Sequence, residues 1–202
     1  MKKLSVAFSM AIIAIAFLFS KCAQNQSSSD SQRDSATIMN NGYESQVKWG
    51  EHLVKSMSCG DCHTPKKMGA HGPEDDSSLL LSGHPAKMPL PDVDRKGMEG
   101  KGLIVTQDLT EWIGPWGVSY TANITSDTTG IGMWSEDQFI YCIRNGVLKG
   151  LPNSRPLLPP MPWTSFRNLS DNELKAIFSY LKSTKPVENV VPPPAPPASA
   201  PI

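Results

Sequence analysis

The five residues Cys59-Gly60-Asp61-Cys62-His63 constrain this chain more than any other stretch. Three chemistries use two thiols at this spacing. A structural zinc site needs a second ligand pair. The other cysteines are Cys22 and Cys142, and His52, His71 and His84 lack the spacing of such a pair. A C-x-x-C redox pair belongs in a βαβ context, and no such alternation is read here. Covalent haem attachment uses all three residues of the motif. The two thiols add to the two vinyl groups on one porphyrin edge. His63, next in the chain, then sits beneath the iron as the proximal ligand. One motif predicts one covalent haem c, and His52, His71 and His84 are read as surface or loop residues.

An iron with one protein ligand is open to small molecules, whereas one with two is mainly an electron-transfer centre. The preferred second ligand is Met161, within Leu157-Leu158-Pro159-Pro160-Met161-Pro162-Trp163. Flanking prolines restrict the backbone and remove competing N–H donors, and Met161 lies just before a helical pattern. Its competitors are Met88, in Lys87-Met88-Pro89, and His84, which would make the site bis-histidine. Met133 is read as a packing residue, since methionine commonly fills gaps in cores.

Three helices are predicted. The first spans 45–57, with Val47, Gly50, Leu53, Val54 and Met57 near one face and Ser45 as N-cap. The second spans 136–145, with a capping-box pattern at Ser135 and Gln138 and Gly146 as its stop. The third spans 171–182, with a box at Ser170 and Glu173 and Leu174, Ile177, Phe178 and Leu181 as its apolar stripe. The remainder reads as loop, in keeping with 18 prolines and 15 glycines. A hairpin pairing 103–105 with 118–122 is the one strand feature expected. Cys142 falls in the middle helix and reads as a buried free thiol, with a dimer disulfide as the alternative.

The ends read differently from the centre. Met1-Lys2-Lys3 followed by the apolar run from Leu4 to Ser20 has the pattern of a secretory signal or membrane anchor over 1–21. Leu18-Phe19-Ser20-Lys21-Cys22 resembles a lipobox, with Lys21 where a small residue is usual. Both fates place the domain outside the cytoplasm, on the periplasmic side of a bacterial membrane, with a lipid on Cys22 as the favoured anchor. Residues 22–42 are polar and read as a flexible tether. The domain itself is expected over 43–186. The Pro/Ala-rich tail over 187–202 is expected to be extended and loosely ordered. With 19 basic and 19 acidic residues, no global charge directs the chain to nucleic acid.

A helix leading into C-x-x-C-H, a middle helix, and a methionine before a last helix resemble a class I c-type cytochrome. The resemblance implies a mostly α fold of three or more helices around one haem, here with long loop insertions. It also implies that the terminal helices cross through a small residue on one and an aromatic on the other. Gly50 fits the first role, and Phe178 or Tyr180 the second. A narrower resemblance covers 43–186. Gly117-Val118-Ser119-Tyr120-Thr121-Ala122-Asn123-Ile124-Thr125-Ser126-Asp127, then Thr129-Gly130-Ile131-Gly132-Met133-Trp134-Ser135, is similar to a stretch in cytochrome subunits of bacterial membrane-bound alcohol and aldehyde dehydrogenases. Pro159-Pro160-Met161-Pro162-Trp163 is similar too. This implies Met161 as the distal ligand and a position near the haem edge for Asn123–Thr125. Those subunits usually carry several C-x-x-C-H motifs, and this chain carries one.

The expected function is one-electron transfer between redox protein partners, as a monomer or within a membrane complex, and not enzymatic catalysis. The alternatives are the electron-accepting cytochrome subunit of a periplasmic dehydrogenase, and an open-site haem sensor or peroxidase. Trp116, Trp134 and Trp163 are candidates for the haem pocket or for an indole bond to a propionate, against a reading as ordinary core aromatics. Arg155 is a candidate to balance a propionate charge.

Overall fold

The computed structural model describes residues 40–199. The signal or anchor, Cys22 and most of the tether lie outside the described residues. Residues 40–45 form a turn in which Tyr43 N–H donates to the Asn40 carbonyl (3.1 Å). Residues 46–199 belong to one compact unit.

That unit is organised by helix α1 (Gln46–Ser56) crossing the last helix, Asp171–Ser183. Gly50 makes the crossing possible. A Cβ at this position would stand 1.9 Å from the Ala176 carbonyl oxygen and 2.9 Å from Tyr180 Cβ. Tyr180 therefore takes the aromatic role. Phe178 turns the other way and stacks on Phe139, ring centroids 5.4 Å apart. Val54, Leu81, Ile131, Phe139, Ile143, Leu174, Ile177 and Leu181 complete the buried cluster around the crossing.

Between these helices come α2 (Cys59–His63), a hairpin of β1 (Lys66–Gly69) and β2 (Gly72–Asp75), and α3 (Arg95–Gly100). Strands β3 (Glu111–Gly114) and β4 (Gly117–Tyr120) follow, then α4 (Glu136–Asn145), the short α5 (Trp163–Phe166) and α6 (Asp171–Ser183). In α6 both halves of the Ser170–Glu173 capping box form. In α4 only one half does. Ser135 accepts from Gln138 N–H, while the Gln138 amide reaches away to the Lys149 carbonyl (2.7 Å). Gly146 ends α4 in the left-handed conformation, as expected.

Three expectations are corrected. The partner of 117–120 is 111–114, paired Glu111↔Tyr120 through Gly114↔Gly117, and Val105 bridges only Ile113 from its far side. Hairpin β1–β2 lies where the sequence reads as loop. Its strands carry charged cross-strand pairs, Lys66–Asp75 (2.9 Å) and Lys67–Glu74 (3.9 Å), instead of an apolar alternation. The tail is extended but fastened to the body. Ala195 pairs with Val118, Arg95 donates to the Pro196 carbonyl (2.8 Å), and Ala198 N–H donates to Glu99 (2.6 Å). Proline-rich chain has unused carbonyls to offer, and Arg95 and β4 take them.

Candidate functional site

Helix α1 ends at Ser56, and Ser58 takes a left-handed conformation (φ 55, ψ 33) that restarts the chain as α2. Cys59 and Cys62 are three residues apart on α2 and so share a face. Both are free thiols. Burial pushes the Cys59 thiol up to about 11 and raises Cys62 as well. A redox-active C-x-x-C pair requires a lowered thiol value, so the local environment opposes that chemistry. Among the described residues, neither cysteine belongs to a group of three or more potential metal ligands. Cys59 packs against the buried cluster, as does Met57.

His63 closes α2. Its Nδ1 lies 2.7 Å from the Ala122 carbonyl oxygen. A carbonyl only accepts, so Nδ1 carries the proton and Nε2 keeps its lone pair. Burial also holds the imidazole below its ordinary value, with the Ala122 bond opposing in part, so the ring is neutral. A neutral imidazole oriented through one nitrogen, with the other unbonded, is how metal-ligating histidines are held. The surrounding backbone is equally fixed. Gly83 N–H donates to the His63 carbonyl (2.8 Å), and Thr64 Oγ1 accepts from Leu81 N–H (3.1 Å). Gly83 sits at φ +75 with the Ala122 carbonyl oxygen 2.6 Å from where a Cβ would be, so a side chain there would push Ala122 off His63.

Met161 is partly buried and packs against the same cluster that Cys59 touches. Its N–H donates to Leu158 (3.3 Å) and its carbonyl accepts from Trp163 N–H (2.9 Å). The preceding Pro159 carbonyl accepts from Ser119 Oγ (2.6 Å), and Trp116 Nε1 donates to that same hydroxyl (3.1 Å). Strand β4 thus anchors the proline frame. Two free thiols on one face, an oriented neutral imidazole and a framed thioether fit the demands of haem c.

Other candidates fall elsewhere. His52 lies on α1 with Nε2 3.4 Å from Ser56 Oγ, and His71 is in the exposed β1–β2 turn. Met88 is half-buried, with its N–H on the Pro85 carbonyl. Met133, expected to pack, is instead 78% exposed. Ile131 and Trp134 on either side of it take the positions that face the core. Arg155 is on an exposed loop and donates to its neighbour Pro156 (2.9 Å). Trp116 donates its indole N–H to Ser119, Trp134 packs against the core, and Trp163 lies under Arg167 (5.5 Å). Cys142 is buried and free.

His84 is the clearest correction. Its sequence context suggests a surface or loop residue, or a competing ligand, yet it is 0% exposed. Its ring lies 4.7 Å from Tyr120, and its Nδ1 is 2.8 Å from Thr110 Oγ1. Thr110 donates in turn to Asp108 Oδ1 (2.6 Å). Glu111, 1% exposed, completes the group, with Oε2 3.8 Å from His84 Nδ1. Burial and then the hydrogen bond to Asp108 push the Glu111 carboxyl up to about 7 from 4.5. Burial also acts upward on Asp108, but the bonds from Glu111 and Thr110 outweigh it and hold that carboxylate low.

Glu111 therefore keeps its proton longer in the folded state than in the unfolded one. In metal-free protein, stability is expected to fall as pH rises from about 4.5 to about 7 and to level off above. Glu111→Gln removes that loss, a difference of roughly 1–3 kcal/mol at pH 8. Urea unfolding of both proteins in EDTA at pH 5 and pH 8 reads it. Equal pH slopes for the two would contradict it.

Sequence reasoning missed two contributors, the Ala122 carbonyl and Asn189, and named a third, Asn123, only by resemblance as a neighbour of the haem edge. The Ala122 carbonyl acts through its backbone, which no residue type reveals. Asn123 accepts from Thr125 N–H (3.0 Å) and Oγ1 (2.8 Å), which fixes the turn just after Ala122. Asn189, in the tail, donates to the Ser82 and His84 carbonyls (both 2.8 Å) and accepts from Ala86 N–H (3.0 Å). Its backbone N–H bonds Thr129 (3.0 Å). The tail thus braces the 82–86 segment that carries Gly83.

No family model matches the chain. Among curated proteins it is 42% identical over 79 residues to a subunit of the nicotinate dehydrogenase of Pseudomonas putida, covering 39% of this chain and 6% of that one. It is 32% identical over 135 residues to the gluconate 2-dehydrogenase cytochrome c subunit of Pantoea cypripedii, covering 66% of this chain and 22% of the relative. It is 27% identical over 146 residues to the cytochrome c subunit of the quinone alcohol dehydrogenase of Gluconobacter oxydans, covering 71% and 23%. The chain spans less than a quarter of the length of each of these relatives. With a C-x-x-C-H helix and 32% identity over 66% of its length to a dehydrogenase cytochrome c subunit, this chain is similar to the cytochrome c subunits of dehydrogenases.

Proposed function

We propose that this chain carries one covalent haem c, attached through Cys59 and Cys62 and ligated by His63 and Met161, and transfers single electrons. The reading includes a class I cytochrome c fold, with the α1–α6 crossing at Gly50 as its frame. The observation that carries it is the 2.7 Å bond from His63 Nδ1 to the Ala122 carbonyl, which leaves Nε2 as the ligating nitrogen. Bound there, the haem supplies a one-electron couple, and a His/Met ligand pair favours a relatively high potential. The chain's own residues hold the centre rather than react. Cys59 and Cys62 tether it, Ala122 orients the imidazole, and the proline frame on β4 positions the thioether. Held by both His63 and Met161, the group would need little rearrangement to take up or release an electron.

On this reading the partners are respiratory or dehydrogenase proteins outside the cytoplasm. A second reading makes the chain a permanent electron-accepting subunit of such a dehydrogenase. It is favoured by the relatives' names, which are those of dehydrogenase subunits. The positive n-region, the apolar run and Cys22 support export and a lipid anchor on the periplasmic side.

Cys59→Ala combined with Cys62→Ala is expected to abolish covalent haem. Acid–acetone extraction followed by haem staining of the denatured chain reads this directly. The double variant should lose all of its haem to the solvent phase, and the wild type none. Haem that stays with the double variant would overturn the assignment.

A further inference from the structure

We propose that His84, Asp108 and Glu111 form a buried site for a divalent ion of the zinc class, separate from the Cys59–His63 motif. One donor atom from each residue lies within 4.8 Å of the others. His84 and Glu111 are 0% and 1% exposed, and Asp108 is 9% exposed. Two adjacent carboxyl groups closed off from water need a positive charge or a proton between them. Among the described residues, no lysine or arginine pairs with either carboxylate. The nearby Arg95 is engaged by Glu99 (2.8 Å).

The donors are also unsatisfied in a way that points to a ligand. Asp108 Oδ2 and Glu111 Oε2 are buried with no hydrogen-bond partner except each other through the proton on Glu111, and His84 Nε2 and Thr121 Oγ1 have none. The companion carboxylate oxygens are occupied. Asp108 Oδ1 accepts from Thr110 N–H and Oγ1, and Glu111 Oε1 accepts from Gln107 N–H (2.6 Å). Each carboxylate is thus oriented by one oxygen and, once the shared proton leaves, open at the other, which is how ligating carboxylates are supported. Thr121 belongs to the same frame. Its backbone bonds His84 N–H (3.0 Å) and the Thr110 carbonyl (2.8 Å).

An imidazole with two carboxylates suits zinc or manganese better than calcium or magnesium, which prefer all-oxygen sites. Ligation through Nδ1 moves the His84 proton from the nitrogen beside Thr110 Oγ1 to Nε2, which is buried without a partner in the metal-free structure. A neutral imidazole and two carboxylates cancel a divalent charge, and binding releases the proton that Glu111 otherwise holds. Water completes the coordination. Because the Thr121–Ala122 segment also supplies the carbonyl that holds His63, the ion would stiffen the support of the proximal ligand.

The test uses the full, haem-loaded chain expressed in zinc-supplemented medium and dialysed against EDTA to strip surface ions. Elemental mass spectrometry gives zinc per iron. One zinc per iron is expected in the wild type and in the surface control His71→Ala, falling at least tenfold in Glu111→Gln. Glutamine matches the neutral acid in shape, so a normal haem spectrum and melting curve confirm that this variant folds. Asp108→Asn should behave likewise. Zinc absent from the wild type, or undiminished in both variants, overturns the proposal and leaves a carboxyl pair sharing a proton.

Discussion

Gly50→Ala is expected to destabilise the protein by about 3 kcal/mol and to lower its melting midpoint by roughly 6–12 °C. The added methyl would overlap the Ala176 carbonyl oxygen at 1.9 Å and its carbon at 2.5 Å. Both are backbone atoms of a packed helix, so neither can rotate away as a side-chain tip would. Relief requires α1 and α6 to move apart. That separation opens the contact among Val54, Leu174, Ile177 and Leu181, which forms the centre of the core. Urea unfolding of the haem-loaded protein checks it. Gly100→Ala is the control, since nothing lies within 4 Å of its added carbon, and its effect should stay within about 0.5 kcal/mol. If the two substitutions cost the same, the helices do not cross this closely.

The crossing is legible in the sequence because it depends on residue types. A glycine on the apolar face of one helix and an aromatic on the other are visible in the chain. So are the three main helices, because each carries a stop, a cap or a stripe with a 3.6-residue period. The choice of Tyr180 over Phe178 is not legible. Both sit within one turn of α6, and only the orientation of α4 sends Phe178 toward Phe139. Hairpin β1–β2 is hidden because its strands are short, polar and held by charge pairs, with no period-2 alternation to read. The tail misleads for a related reason. Proline-rich composition reports what a segment lacks on its own, and says nothing of donors such as Arg95 and Asn189 that bond its backbone or fix it to the body.

The site shows the same division. Cys59, Cys62 and His63 are fixed by covalent spacing, so sequence alone identifies them. The group that orients His63 is a carbonyl 59 residues away, and any residue type at 122 would supply it. His84 misleads because a histidine beside prolines and glycine has the composition of a surface loop. Its burial follows from Thr110, Asp108 and Glu111, which come from a segment with no obvious pattern.

Met161→Ala is expected to lower the reduction potential by about 0.2 V, a quarter of the roughly 0.8 V that axial ligands span. It is also expected to make the reduced protein bind carbon monoxide. The expectation rests on the proposed ligation and on how the backbone is held. Pro160 and Pro162 restrict φ on either side, Ser119 pins the Pro159 carbonyl, and Trp163 N–H pins that of Met161. A weak thioether ligand benefits from such a frame because little freedom is lost when it binds. Truncation to alanine leaves the frame intact and removes only the donor, so the fold and the covalent attachment should survive. The same frame discourages replacement, because neighbouring prolines offer no donor in its place. Met88→Ala should change neither property. Redox titration and reduced spectra with and without carbon monoxide, on all three proteins, distinguish the outcomes. If Met161→Ala matches the wild type and Met88→Ala does not, the thioether comes from 88. If the wild type itself binds carbon monoxide readily, the sixth position is open, and small-ligand sensing or peroxide chemistry replaces electron transfer as the function.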